Sequence, residues 1–223
     1  DDPRPDTGLF LCFEGGDGSG KSTQRDRLHA ALKAAGHEVV ATREPGGSPS
    51  AERIRDILLR GDLGALDPRS ELLLFTAARV EHLRSTVLPA LARGAVVLCD
   101  RFLDSSLAYQ GAGNGTDSAL ILDLHRTFCG DIRPDLTFLL DGPSEALLAR
   151  SKARLAAEGS GEDRYENAAL DFHQRLSARY RALAAAEPDR YVVLDATQPV
   201  DRITAAMLEA VRARGLRAEA HAA

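Results

Sequence analysis

The 223-residue sequence contains no apolar run near the roughly 20 residues that a membrane-spanning helix needs, and no signal-peptide pattern is visible. No membrane association is expected. A basic stripe is also missing. With a formal net charge of −5, the chain offers no evident surface for neutralising the phosphates of a nucleic acid. Cysteine is scarce: Cys12, Cys99 and Cys129 make an odd count with no C-x-x-C pair. Cys12 and Cys99 sit inside apolar runs, where a thiol behaves as a small hydrophobe, and the pattern suits a reducing cytoplasm. Lysine occurs only at Lys21, Lys33 and Lys152, while arginine is plentiful. A lysine inside a glycine-rich loop is therefore conspicuous, because such a loop wants a compact ammonium. No internal repeat and no linker divides the sequence.

What is present is ordinary for a soluble globular protein: 44% hydrophobic and 27% charged residues, enough to bury a sizeable core. Short β-branched or aromatic-rich runs recur at 9–13, 38–42, 95–100, 136–141 and 191–195. Their nearly continuous apolar character predicts strands buried on both faces. Longer Ala, Leu, Arg and Glu segments predict helices at 21–35, 49–60, 67–92, 117–129, 143–157, 165–186 and 199–214. Strand alternating with helix implies right-handed crossovers and a parallel sheet covered by helices. The expected organisation is one α/β domain over 9–214, between a disordered tail at 1–8 and a fraying C-terminal tail at 215–223. "QGAGNGTD" (110–117) reads as an ordered turn before a helix, and "AAEGSGEDR" (156–164) as a mobile, charged cover.

The strand-like run "LFLCF" leads into Gly15, Gly16, Asp17, Gly18, Ser19, Gly20, Lys21, Ser22 and Thr23, which match the Walker A spacing without a mismatch. Glycines let successive N–H groups turn inward to cradle an anion, and the helix that starts near Lys21 adds its positive end. Lys21 is expected to bridge the β- and γ-phosphates of a nucleotide, with the Ser22 hydroxyl on Mg²⁺. A chance glycine-rich turn would lack the preceding strand and following helix that occur here. The loop needs a second metal-side carboxylate. Asp100, closing "AVVLCD", has the Walker B form and is expected to hold a magnesium-bound water at the sheet edge. Asp141, closing "LTFLLD", is its rival, with helix N-cap as its other reading.

A GTPase switch should carry an Asn-Lys-x-Asp reader, and "NGTD" (114–117) lacks the lysine. A DNA-linked motor needs further modules or a basic face. A small-molecule kinase needs only the phosphate loop, an acceptor pocket and a basic lid. The lid is expected at about 150–164, where Arg150 and Arg154 are one helical turn apart and Arg164 lies beyond the glycine-rich break. The plain alternative is a solvated basic helix face. The loop interior offers no cation of its own, so the transferred phosphoryl would need one arriving from above.

"FEGGDGSGKST", "TREPGG" (42–47), "LLLFTAAR" (72–79), "DRFLDSSLAYQG" (100–111) and "RPDLTFLLD" (133–141) together resemble the thymidylate kinase family, in order and over nearly the whole chain. The resemblance implies phosphoryl transfer from Mg·ATP to dTMP on a three-layer α/β/α P-loop NTPase fold, with a five-stranded parallel sheet, a small basic lid and a homodimeric assembly. Phe75 and Arg79 are i,i+4 on one helix, so ring and guanidinium share a face: one can stack on a pyrimidine while the other donates to O4. Periodicity alone also allows Phe75 to be core, and the family pattern makes it the thymine stacker. By resemblance Asp17 accepts from the sugar 3′-OH, Arg101 and Arg43 hold the acceptor phosphate, and Tyr109 walls off a ribose 2′-OH. Ser105 and Ser106 are expected at the base edge, with Gln110 on the base or sugar side. The resemblance also puts the catalytic cation in the lid, leaving Arg150, Arg154 and Arg164 as alternatives. Phe102 stands where the family often has Tyr or His, so any polar role there is lost. Two rival readings remain: a P-loop kinase for another nucleoside monophosphate, and a catalytically weak nucleotide-binding regulator.

Overall fold

The computed structural model describes residues 8–59, 66–158 and 168–215. Strands β1 (Leu9–Glu14), β2 (Val39–Arg43), β3 (Val96–Asp100), β4 (Leu136–Asp141) and β5 (Tyr191–Asp195) form one sheet in the order β2-β3-β1-β4-β5. Every pairing is parallel. The five apolar runs of the sequence are these strands, and the carboxyl ends of all five therefore share one edge. In register, Phe13 stands beside Asp100, which sets the start of the phosphate loop against the end of β3.

Period-two alternation splits the core into two layers. Leu11 and Phe13 of β1 point to one face, where they meet Leu28 and Leu32 of α1 (Lys21–Ala34) and Met207 and Val211 of α9 (Val200–Ala213). Phe10 and Cys12 point to the other. There they pack with Leu91, Phe102, Leu107 and Ile121, supplied by α4 (Leu88–Ala92), the segment after β3 and α6 (Ser118–Cys129). The remaining helices are α2 (Pro49–Leu59), α3 (Pro68–His82), α5 (Leu103–Ser106), α7 (Ser144–Glu158) and α8 (Leu170–Ala186). All three cysteines are buried and unpaired, as small hydrophobes would be.

Two elements differ from the sequence reading. The helix expected over 67–92 is α3 and α4 joined through one wider π turn, Leu83–Val87. Pro89 lies just beyond that turn; its ring crowds the preceding turn and it has no N–H to give, and a widened turn absorbs both. Residues 103–113, assigned to no element and then to a turn, are helical: α5 runs into a second wide turn, Leu107–Gly113. Its glycines read as punctuation, yet Gly113 is there for space, since a Cβ would come within 2.5 Å of the Phe172 ring. The turn is confined to 114–117, where Asp117 caps α6 by accepting from the Ala119 N–H at 2.9 Å.

Candidate active site

The phosphate loop leaves β1 with positive φ at Gly15 (134°) and Gly18 (75°). A side chain at either would drive a Cβ into backbone, 2.3 Å from the Leu140 carbonyl oxygen or 2.0 Å from that of Leu147. The loop therefore lies directly on the sheet edge and on α7. The Lys21 ammonium folds back over it, donating to the carbonyls of Gly15 (3.1 Å) and Gly16 (2.8 Å) and to Ser19 Oγ (3.4 Å). Burial, reinforced by the Arg101 charge, brings its pKa down to about 8, against the opposing pull of Asp100 and Asp17. Ser22 Oγ donates to Asp100 Oδ2 at 3.2 Å. The other oxygen, Oδ1, is buried without a hydrogen-bond partner among the described residues. An acceptor left this way beside a hydroxyl suits the hydration shell of a hard dication. Asp141 has no such availability: it pairs with Arg181 at 2.7 Å and accepts from Ser177 at 3.1 Å, and neither a metal nor an N-cap role fits it.

Above the loop lies an open cleft of about 1240 Å³, whose lining includes Asp17 to Thr23, Asp100, Arg150 and Arg154. A second cavity of about 530 Å³ is lined by Phe75, Arg79, Ser105, Ser106, Tyr109 and Gln110 among others. Asp17, Arg55 and Arg101 border both. Two ligands filling these spaces would meet at one acid and two guanidinium groups.

Arg101 is held hard in place. It follows β3 with φ 69° and donates its own N–H to the Phe13 carbonyl at 2.9 Å. Its guanidinium pairs with Asp17 at 2.6 Å, reaches Gly15 O, Ser105 Oγ and Tyr180 Oη, and lies 4.9 Å over the Tyr109 ring. Tyr109 donates to the other Asp17 oxygen at 3.0 Å. Burial alone would raise the Asp17 pKa, but Arg101 and Lys21 bring it below the usual value. Beneath this cluster is Glu14, fully buried. It accepts from Phe102 N (2.8 Å), Ser105 Oγ (2.6 Å) and Tyr180 Oη (3.1 Å). Burial, then the Asp104 charge, raises its pKa to about 7, with Ser105 and Arg101 opposing. Ser105 is thus committed to holding the Arg101 loop rather than standing free at a base edge.

Arg79 is fixed in the same manner. Its Nε donates to Glu44 at 2.8 Å and its Nη2 to Ser106 Oγ at 2.9 Å and the Phe102 carbonyl at 3.2 Å. The Phe102 ring lies 5.1 Å below the guanidinium, so the aromatic at that position is used as a platform. Glu44 in turn meets His82 Nδ1 at 2.9 Å, and His82 Nε2 meets Thr42 Oγ1 at 2.7 Å. Phe75 is half-buried: it lines the cavity and packs on the Tyr109–Phe172 cluster, so it is both wall and core.

Arg43 is not brought in. Alternation along β2 buries Thr42 and turns Arg43 outward, where it pairs with Glu52 at 3.0 Å and lines neither cavity. Arg55 of α2 takes the interior place, steadied by a 2.7 Å bond to the Pro45 carbonyl. Arg150 spends both terminal nitrogens on the Ala196 carbonyl, at 2.9 and 2.7 Å. Arg154 lines the phosphate cleft, and Arg164 lies outside the described residues. Arg55, Glu14, Glu44, His82 and Tyr180 were not anticipated. Only Glu14 and Glu44 carried a signal, a carboxylate inside or just past an apolar strand.

A family model described as Thymidylate kinase matches residues 13–207. The thymidylate kinase of Caulobacter vibrioides is 50% identical over 204 residues, covering 92% of this chain and 96% of that protein. The thymidylate kinase of Pseudomonas fluorescens SBW25 is 49% identical over 216 residues, 94% of this chain and 100% of that one. The crystal structure of thymidylate kinase from Ehrlichia chaffeensis superposes with a TM-score of 0.73 at 30% identity, over 92% of this chain and 98% of that one.

Proposed function

The chain belongs to the thymidylate kinase family, and on that premise we propose how its residues divide the transfer of the γ-phosphoryl of ATP to dTMP, giving dTDP and ADP. The observation that carries the reading is the meeting of two cavities at Asp17, Arg55 and Arg101. ATP takes the larger cleft, with its phosphates on the backbone of Gly15 to Thr23 and on Lys21. dTMP takes the smaller cavity, thymine on Phe75 and against Arg79, sugar against Tyr109. Its 5′-phosphate sits at Arg101 and Arg55, in line with the γ-phosphate. Such positioning is the larger part of catalysis where protein groups form no bond to the substrate.

Asp17 and Arg101 bind each other. On our reading dTMP exchanges that pair for two better matches, the sugar 3′-OH on Asp17 and the phosphate on Arg101. Ser22 and the unpartnered oxygen of Asp100 are the groups that would hold Mg²⁺, the carboxylate through water. There it would neutralise phosphate charge. Within the single domain over 9–214, residues 150–158 of the lid belong to α7, and 159–164 lie outside the described residues. Arg154 supports the transferred phosphoryl from that side, while both terminal nitrogens of Arg150 are engaged by the Ala196 carbonyl.

A homodimer is supported by an apolar surface on α3 and α6, which pack side by side and leave Leu73, Leu120 and Phe128 exposed. No helix among the described residues is long and apolar enough to cross a membrane. With unpaired buried thiols, we place the enzyme in the cytoplasm.

The test is a coupled ADP-release assay with Mg·ATP and dTMP, dUMP, UMP, CMP, AMP or GMP. Strong turnover of dTMP, less of dUMP and little of the rest is expected. Equal turnover across the panel would remove the assignment of the smaller cavity to thymidylate.

A further inference from the structure

The two terminal nitrogens of Arg101 are held by different chemistry. Nη2 pairs with the Asp17 carboxylate at 2.6 Å. Nη1 meets neutral acceptors: the Gly15 carbonyl at 3.1 Å, Ser105 Oγ at 3.2 Å and Tyr180 Oη at 3.3 Å. A guanidinium can only donate, so both hydroxyls must turn a lone pair toward it and send their protons elsewhere. Glu14 Oε2 stands ready for them, 2.6 Å from Ser105 Oγ and 3.1 Å from Tyr180 Oη. The two hydroxyl oxygens also lie 2.9 Å apart. Whether the Tyr180 proton goes to Glu14 or to Ser105, the lone pairs of Tyr180 stay on the Arg101 side.

An acid in direct contact with Nη1 would compete with an incoming phosphate for the same positive charge. Here the acid stands one hydroxyl further off, so that end is fixed in position by neutral groups. Tyr180 is the remote member of the set. It lies on α8, 79 positions from Arg101, and borders neither of the two substrate spaces. Its side chain is 1% exposed, packed in the apolar cluster with Tyr109 and Phe172, so the ring fixes where the hydroxyl sits. A phenylalanine would fill the same place. The hydroxyl costs free energy to bury unless it is bonded, and its bonds all lead to the Arg101 cluster.

We propose that Tyr180 is a positioning residue for the acceptor phosphate: its hydroxyl, with Ser105 and backed by Glu14, holds the Nη1 end of Arg101, so that Nη2 exchanges Asp17 for the phosphate without the guanidinium turning. The proposal rests on the assignment of Arg101 to the dTMP phosphate.

The experiment measures kcat and KM for dTMP and for ATP in the wild type, Tyr180→Phe, Arg101→Lys and the double variant, with thermal melts of each. Tyr180→Phe removes one oxygen and keeps the ring. KM for dTMP is expected to rise about three- to tenfold, the range for losing one hydrogen bond to a charged group, with KM for ATP little changed. Lysine has no Nη1 for Tyr180 to hold. In the Arg101→Lys background the loss of the hydroxyl is therefore expected to raise KM for dTMP little further, a non-additivity that a purely structural tyrosine would not show.

A Tyr180→Phe protein with the wild-type KM for dTMP overturns the proposal. So does a full Tyr180→Phe effect that persists beside Arg101→Lys, or a loss of melting temperature with both KM values raised alike. If Tyr180→Phe is too unstable to assay, Glu14→Gln carries the test, since it puts an amide of the same shape behind the two hydroxyls. A rise in KM for dTMP that vanishes beside Arg101→Lys supports the proposal; no rise, or one that persists, overturns it. Arg101→Lys with an unaltered KM for dTMP is a different result. It refutes the placing of the acceptor phosphate at Arg101 itself.

Discussion

At the scale of single residues, the site is organised by acids that hold bases in place. Asp17 and Glu14 carry the Arg101 cluster, and Glu44 carries Arg79. Buried guanidinium groups so held stay charged, since the neighbouring carboxylate outweighs the cost of burial for Arg79. Lys21 has no such carboxylate partner among the described residues. It donates to two carbonyls and a hydroxyl, and burial brings its pKa to about 8. The consequence is a pH dependence with a definite sign. Raising pH through 8 removes the ammonium from the free enzyme, and with it the attraction for triphosphate. We expect kcat/KM for ATP to fall above about pH 8, while kcat, measured with phosphates already bound, falls only at higher pH. Lys21→Arg should remove that alkaline limb, because arginine does not titrate there, at the cost of turnover. Lys21→Ala should lose at least about a hundredfold in kcat. A flat kcat/KM profile from pH 7 to 9.5 in the wild type would contradict the assignment of Lys21 to the triphosphate.

At the scale of elements, what was legible in the sequence is what local pattern controls. The five strands announce themselves as apolar runs, and the phosphate loop as glycines followed by Lys-Ser-Thr. Phe75 and Arg79 are read as neighbours because helical spacing makes them so. What was hidden depends on contacts distant in sequence. The place of Arg55 comes from how α2 packs on α3, and strand alternation turns Arg43 away. Glu71 and Gln110 are 39 positions apart and meet only because α3 packs beside the wide turn after α5. That turn was hidden for a different reason: Gly111 and Gly113 look like chain breaks and instead lie inside it, Gly113 permitting a close approach. Gly113 tests the point. With no positive φ there, backbone strain is not at issue, and an added methyl would meet Phe172 at 2.5 Å. Phe172 packs edge-on against Tyr109, 6.1 Å between centroids, so a displaced ring is transmitted to the sugar wall. Gly113→Ala is expected to destabilise by about 1–3 kcal/mol. It should also raise KM for dTMP more than KM for ATP. A melting curve superimposable on the wild type would show that the turn has room, and that the glycine has another origin.

At the scale of the whole molecule, net charge and local charge run in opposite directions. The chain is acidic, at −5, yet Lys21, Arg55, Arg101 and Arg154 all border the cleft where phosphates would lie. The surface beyond the cleft is therefore free to serve another purpose. On α6, Leu120 and Phe128 are 44% and 59% exposed, and on the adjoining α3 Leu73 is 56% exposed. Large apolar side chains left out by two neighbouring helices are best explained by a partner that buries them, and a second copy is the simplest one. The same helix α3 carries Phe75 and Arg79 on its inner side. A partner covering its outer side would stiffen the wall proposed to receive thymine. Phe128→Asp places a charge where desolvation would be required and should shift the protein from dimer to monomer at micromolar concentration, read by light scattering after size exclusion. Because α3 then loses its outer support, KM for dTMP should rise in the monomer while KM for ATP changes little. A variant that stays dimeric would move the interface elsewhere. A monomer with unchanged kinetics would keep the interface but separate it from the site.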